Sequence, residues 1–137
     1  MAHERIAVVI EDDQDIRELV CMILCQSGYD VHATEMGVGG VNLVRSHNPA
    51  LVTIDVGLPD IDGFEVTERI RQFSDAHVIM LTARTDPQDL LTGKEAGVDE
   101  YMGKPFRPRE LRSRADAVLA RLRAAAMELS TVPPAES

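Results

Sequence analysis

The feature that most constrains this chain is an alternation. Short apolar runs rich in β-branched residues are each followed by a longer run with helical spacing. Ile6 to Ile10 (IAVVI) carries no polar residue. That is how a strand buried on both faces reads, because helices cover both sides of a parallel sheet. Ile16, Leu19, Val20, Ile23 and Leu24 then repeat at three-and-four spacing, which predicts a helix stopped by Gly28. A short strand follows around Val31 to Ala33. A second helix spans Val38 to His47, weakened by Gly39 and Gly40 and ended by Pro49. Leu51 to Asp55 (LVTID) is the third strand, and VGLPDIDG after it is a loop punctuated by Gly57, Pro59 and Gly63. Phe64 to Phe73 is a third helix with Val66, Ile70 and Phe73 as its apolar stripe, and His77 to Leu81 is a fourth strand. A fourth helix runs from Pro87 to about Ala96 with Gly97 as its cap, a fifth strand covers Glu100 to Met102, and a last helix covers Pro108 to about Met127.

Five strand-helix units of this kind predict an α/β domain, a parallel sheet with right-handed crossovers and helices on both faces. Open sheets of this type bind ligands beyond the carboxyl ends of their strands, near the point where strand order reverses. Chemistry is therefore expected just after the first, third, fourth and fifth strands. Those positions hold Glu11-Asp12-Asp13, Asp55, Thr82 and Lys104-Pro105, polar groups that the flanking apolar runs do not need for folding.

Composition narrows the partners. The 137 residues fit one domain, and the formal net charge is −9. An acidic surface repels nucleic acid, whose binding rests on Lys and Arg at phosphates, so no direct contact with nucleic acid is expected. No apolar run is long enough to span a bilayer and the first residues hold no signal-length apolar segment, so the expected location is cytoplasmic, away from membranes. Cys21 and Cys25 share a helix face and are expected to be small buried residues, not metal ligands. His3, His32, His47 and His77 show no spacing for a metal or a catalytic triad, and Asp60 and Asp62 read as solvated turn formers. Asp13 reads as a helix N-cap.

Several carboxylates converging in a small space tolerate one another when a hard cation neutralises them. A carboxylate can also attack phosphorus and form an aspartyl phosphate. Phosphoryl transfer needs charge neutralisation and in-line positioning, which a cation, a lysine ammonium and a threonine hydroxyl supply.

Four motifs taken together, VVIEDD, TIDVGLPDIDGFE, MLTA and DEYMGKPF, each at a strand end, resemble the receiver domains of two-component response regulators. The likeness covers about Arg5 to Arg123 and is strongest to receivers that carry a winged-helix DNA-binding domain. It implies a flavodoxin-like fold, doubly wound (βα)5 with strand order 2-1-3-4-5. It also implies a receiver over residues 1–124 and a tail or linker over 125–137. By that resemblance Asp55 is the phosphoacceptor. Glu11, Asp12, Asp55 and the Gly57 backbone carbonyl hold Mg2+, with Mn2+ as a substitute. Thr82 and Lys104 contact the phosphoryl group, Tyr101 is the aromatic switch, and the bond before Pro105 is cis. A sensor histidine kinase or phosphotransfer protein supplies the phosphoryl group, and the chain is a signalling phosphoacceptor, not an enzyme. The face made by the fourth helix, fifth strand and fifth helix is the output. Between two copies, Arg114 would pair with Asp99 and Arg121 with Glu100. A third pair is missing, because Leu90 stands where Glu110 would need a base, so a weak homodimer strengthened by phosphorylation is expected. Gly57 and Arg84 occupy positions expected to gate water access.

Three other classes compete. A haloacid-dehalogenase-type phosphatase wants a second Asp two residues after the nucleophile, where this chain has Gly57. A flavin-binding module wants a Ser/Thr/Gly-rich loop after the first strand, where Glu11, Asp12 and Asp13 would repel phosphate. A pseudo-receiver, a protein-interaction module that is never phosphorylated, keeps the fold, and only a phosphorylation assay excludes it.

Overall fold

The computed structural model describes residues 4–131. His3 and the end of the expected tail, 132–137, lie outside them. Five strands, β1 (Glu4–Ile10), β2 (Asp30–Thr34), β3 (Pro49–Ile54), β4 (His77–Thr82) and β5 (Glu100–Gly103), alternate with five helices. These are α1 (Gln14–Gln26), α2 (Gly37–His47), α3 (Gly63–Arg71), α4 (Pro87–Ala96) and α5 (Pro108–Thr131). All pairings are parallel and the order is β2-β1-β3-β4-β5, the flavodoxin-like arrangement expected.

Strand alternation divides the core into two layers. Ala7, Val9, Leu51, Ile79, Leu81 and Met102 face α1 and α5 and pack with Val20, Leu24, Leu111, Ala115 and Leu119. Val8, Ile10, Val52, Ile54, Val78 and Met80 face the other way, against Val41 and Val44 of α2, Phe64, Val66 and Ile70 of α3 and Ala96 of α4. Removing any one of the fully buried leucines costs about 2–5 kcal/mol, from lost transfer energy and the cavity left behind. Tyr29 donates from its hydroxyl to the Ala115 carbonyl at 2.8 Å, tying the entry of β2 to α5 through the core.

Helix ends follow local chemistry. The Asp13, Asp62 and Asp86 side chains accept from Ile16, Glu65 and Asp89 N–H groups and start α1, α3 and α4. Gly28 and Gly97 take the left-handed conformation that closes α1 and α4.

Several local readings need correction. Asp60 is not a free turn former. Met36 gives α2 no side-chain cap, and Asp60 from the β3–α3 loop supplies it, accepting from Gly37 N at 2.7 Å and Val38 N at 2.8 Å. Those bonds, the one from Val38 first, hold its carboxyl down at about 2. Asp62 proves to be a cap. Cys25 is exposed, and Cys21 is only half-buried, packed against the edge of the α1–α5 core layer. Phe73 is 38% exposed, past the end of α3, with the Arg45 guanidinium 4.6 Å over its ring. The helix α5 continues to Thr131, beyond Met127 and into the stretch read as tail.

Gly40, read as a weak point of α2, is a contact point. A Cβ there would stand 2.2 Å from Ile10 Cδ1 and 2.6 Å from Cγ1. Helix propensity alone predicts that Gly40→Ala stabilises by about 1 kcal/mol. The packing predicts the reverse, a loss of about 1–3 kcal/mol in urea unfolding, and an unchanged or higher stability would contradict it.

Candidate functional site

The site forms where β1 and β3 leave the centre of the sheet. Ile10 pairs with Ile54, so the next residues, Glu11 and Asp55, emerge side by side. Two backbone bonds fix them: Asp55 N donates to Ile10 O at 3.1 Å, and Glu11 N donates to Thr34 O at 3.0 Å. Asp12 follows on the turn into α1. Glu11, Asp12 and Asp55 each present a carboxylate oxygen within 4.8 Å of the others. Glu11 is buried, at 3% exposure, Asp55 is half-buried and Asp12 is exposed.

Lys104 reaches across from the end of β5. Its Nζ lies 2.8 Å from Glu11 Oε1 and 3.2 Å from Asp55 Oδ2. Its backbone N–H donates to Thr82 O at 2.9 Å, which anchors the lysine to β4. The Lys104-Pro105 bond is cis, as expected. Burial pushes the Glu11 carboxyl up, the hydrogen bond from Lys104 opposes this, and the Asp55 charge adds to it; the net direction is upward. For Lys104, burial pulls down, but the Glu11 hydrogen bond and the Asp55 charge outweigh it, so the ammonium holds its proton more tightly than usual.

The other expected residues lie on the neighbouring strands β4 and β5 and on the loop after β3. Thr82 ends β4, 2% exposed, and its hydroxyl accepts from Arg84 N at 3.0 Å. Gly57 is exposed in the loop after Asp55, with nothing within 4 Å of where a side chain would begin. Tyr101 sits on β5 beside Met80, two residues before the Gly103 that pairs with Thr82. Its hydroxyl donates to Asp89 O of α4 at 2.8 Å, and burial pushes it up to about 12.

Sequence reasoning missed two glycines that make these contacts possible. A Cβ on Gly63 would lie 2.3 Å from the Asp55 carbonyl, and one on Gly93 would lie 2.4 Å from the Tyr101 ring and hydroxyl. Motif reading places both as turn or helix residues and cannot show the close approach.

Asp99, Glu100, Arg114 and Arg121, expected to bridge two copies, are engaged within the chain. Asp99 pairs with Arg71 at 2.7 Å and accepts from Val78 N at 2.8 Å. Glu100 pairs with Arg114 and with His77, which is therefore not a bland residue. Hydrogen bonds from both partners outweigh burial and lower the Glu100 carboxyl. Arg121 Nη2 lies 3.2 Å from His77 Nδ1. His32 and His47 stack with ring centroids 3.8 Å apart.

A parallel sheet of this order that gathers carboxylates at its switch point, instead of a phosphate-binding loop, belongs to the receiver class of signalling domains. Residues 7–116 match the family described as response regulator receiver domain, and the chain belongs to it. Relatives include the transcriptional regulatory protein AfsQ1 of Streptomyces coelicolor, 43% identical over 83% of this chain and 51% of that protein. The DNA-binding response regulator MtrA of Mycolicibacterium paratuberculosis is 37% identical over the same shares, 83% and 51%. The chain thus spans about half the length of these relatives. Among solved structures, a Francisella response regulator receiver domain superposes with a TM-score of 0.78 at 27% identity, covering 84% of this chain and 96% of that one. Receiver domains of this family take phosphoryl groups from histidine kinases or phosphotransfer proteins and bind Mg2+ at an acidic cluster. No helix among the described residues is long and apolar enough to cross a membrane.

The raised Glu11 carboxyl has a consequence for metal-free protein. A carboxyl that binds its proton more tightly when folded favours folding fully below its ordinary value, 4.5, and loses that contribution as pH rises through the higher folded value. Urea unfolding of metal-free protein is expected to show stability falling as pH rises from 4.5, and Glu11→Gln is expected to flatten this slope. An identical slope in the variant would place the cause elsewhere.

Proposed function

We propose that this domain accepts a phosphoryl group on Asp55 from a histidine kinase or phosphotransfer protein and uses it to reset the α4-β5-α5 face. One observation carries the reading. Three carboxylates lie within 4.8 Å of one another, and a lysine ammonium is shared between two of them.

The donor set fits a hard divalent cation, because it is all oxygen and gathers three carboxylates within 4.8 Å of one another. Glu11, Asp12, Asp55 and the Gly57 carbonyl would hold Mg2+, or Mn2+ in its place. The ion would supply neutralisation of the charge on the transferring oxygens.

The chain's own residues do the rest. An Asp55 carboxylate oxygen attacks phosphorus in line, the P–N bond to the donor imidazole breaks, and the imidazole leaves with the electron pair. Lys104 turns from Glu11 toward the new phosphoryl oxygens, and the Thr82 hydroxyl gives up its bond from Arg84 N to do the same. Space opens beside β4, and Tyr101 moves into it from its bond to Asp89. This is a shift between two arrangements of one fold, driven by the charge added at Asp55. Catalysis extends no further than self-phosphorylation from small donors and self-dephosphorylation. Gly57 leaves the site open on one side, and Arg84 guards the other. The relatives named as transcriptional regulators support a role in transcription for the whole protein.

Intact mass after incubation with acetyl phosphate and Mg2+ is expected to rise by one phosphoryl group, with no rise in Asp55→Asn or with EDTA. A rise that persists in Asp55→Asn would mean another acceptor. No rise in the wild type, with its histidine kinase added as well, would support the pseudo-receiver.

The output face is proposed to form a weak homodimer through Arg114–Asp99 and Arg121–Glu100 pairs. Exposed ion pairs contribute roughly 0–1 kcal/mol each, so two pairs give a loose association. Sedimentation velocity is expected to show more dimer after phosphorylation, and a phosphorylated protein that stays monomeric at high concentration would reject the dimer.

A further inference from the structure

The carboxylates at the site are placed by the backbone beneath them, and that backbone is held by a residue outside the site. At the end of β1 the chain turns sharply into α1. Asp13 caps the helix, and its N–H is taken by Glu11 Oε2 at 3.2 Å. The Asp13 carbonyl accepts the first helical bond, from Arg17 N at 2.9 Å. The carbonyls of Glu11 and Asp12 lie between ladder and helix, where neither regular pattern provides a donor. Polar backbone atoms beside a buried carboxylate need a partner, since leaving one unpaired is costly.

Arg17 fills that gap. From the first turn of α1 its half-buried side chain folds back, and Nη1 stands 2.9 Å from Glu11 O and 3.5 Å from Asp12 O. One guanidinium group thus spans the backbone of two of the three carboxylate residues. Its geometry differs from that of Lys104, which occupies carboxylate oxygens directly. Arg17 bonds to the carbonyls, itself takes none of the carboxylate oxygens, and adds a positive charge next to a crowded negative group. Both contacts are made by the one nitrogen, the closer of them to Glu11 O.

We infer that Arg17 is a positioning residue for the cation site: it clamps the Glu11-Asp12 turn so that both carboxylates are aimed together before the ion arrives. The inference rests on the reading of the acidic cluster as a Mg2+ site and goes beyond it. Groups that orient metal ligands from behind typically change metal affinity by about 10–100-fold when removed. Because Arg17 shares the task with the Asp13 cap and the bond to Thr34, the lower end of that range applies.

Calorimetric titration with Mg2+ and Mn2+ of the wild-type domain, Arg17→Ala and Arg17→Lys tests this, with thermal unfolding of each metal-free protein measured in parallel. Arg17→Ala is expected to bind both ions roughly tenfold more weakly while its metal-free unfolding temperature stays close to that of the wild type. Arg17→Lys, which keeps one donor and the charge, is expected to recover part of the affinity. Arg17→Ala binding within about twofold of a wild type that binds well would overturn the inference and leave the phosphoacceptor reading standing. So would a loss of affinity that follows a matching loss of stability and is not relieved by lysine, since that is the behaviour of a residue that merely holds the helix. A wild type that binds neither ion at millimolar concentration would overturn the metal-site reading, and this inference with it.

Discussion

The structure depends on keeping like charges together. Glu11 and Asp55 leave adjacent central strands at the same level, and Asp12 joins them within 4.8 Å. Two carboxylates at that range repel by roughly 3–4 kcal/mol at an effective dielectric of about 20. Folding alone would not choose this arrangement, and the energy comes from elsewhere in the sheet. The two apolar layers, the Asp55 N to Ile10 O bond and the Asp13 cap are strong enough to impose it. Lys104 relieves part of the repulsion by lying between Glu11 and Asp55, while burial first and then the Asp55 charge push the Glu11 carboxyl up. The remaining excess of negative charge is what a hard cation would neutralise.

The same economy explains why the partners of the cluster sit on strand ends. Lys104 bonds through its backbone to Thr82, and Gly103 pairs with Thr82 in the ladder, so the ammonium and the hydroxyl are carried on one rigid edge. Tyr101 is on the same short strand and is tied by its hydroxyl to Asp89 of α4. The strand β5 has only four residues and, among the described residues, no strand on its outer side. It is the part of the sheet with least backbone pairing, hence the part that would move at least cost.

Most of the architecture was legible because it is written in one-dimensional patterns. Continuous apolar runs mark strands buried on both faces, three-and-four spacing marks helices, and the switch-point rule turns strand order into a short set of positions where chemistry belongs. Glu11, Asp12, Asp55, Thr82 and Lys104 fall at those positions. What escaped is pairwise and distant in sequence. That Asp60 caps α2, 23 residues away, cannot be read from a loop rich in Asp and Gly, because the same residues suit a free turn. Gly40 looks like a helix flaw until Ile10 is seen against it, and Gly93 looks like another until Tyr101 is. Cys25 and Phe73 were misjudged for a related reason: apolar residues near a helix end satisfy the periodicity without facing the core.

The α4-β5-α5 face shows the limit of matching pairs by position. Asp99, Glu100, Arg114 and Arg121 are all present, yet in the single chain Asp99 is held by Arg71 and Val78 N, Glu100 by Arg114 and His77, and Arg121 lies against His77. An intermolecular pair at these residues would have to replace an existing one. Its net contribution is then the difference between two ion pairs of similar kind, smaller than either alone. For the same reason, a change that loosens β5 would have an effect out of proportion to any new contact. It would weaken the internal pairs of Asp99 and Glu100 and leave their carboxylates free for a second copy. On this view phosphorylation would strengthen association chiefly by withdrawing a competitor that the unmodified fold supplies from its own surface.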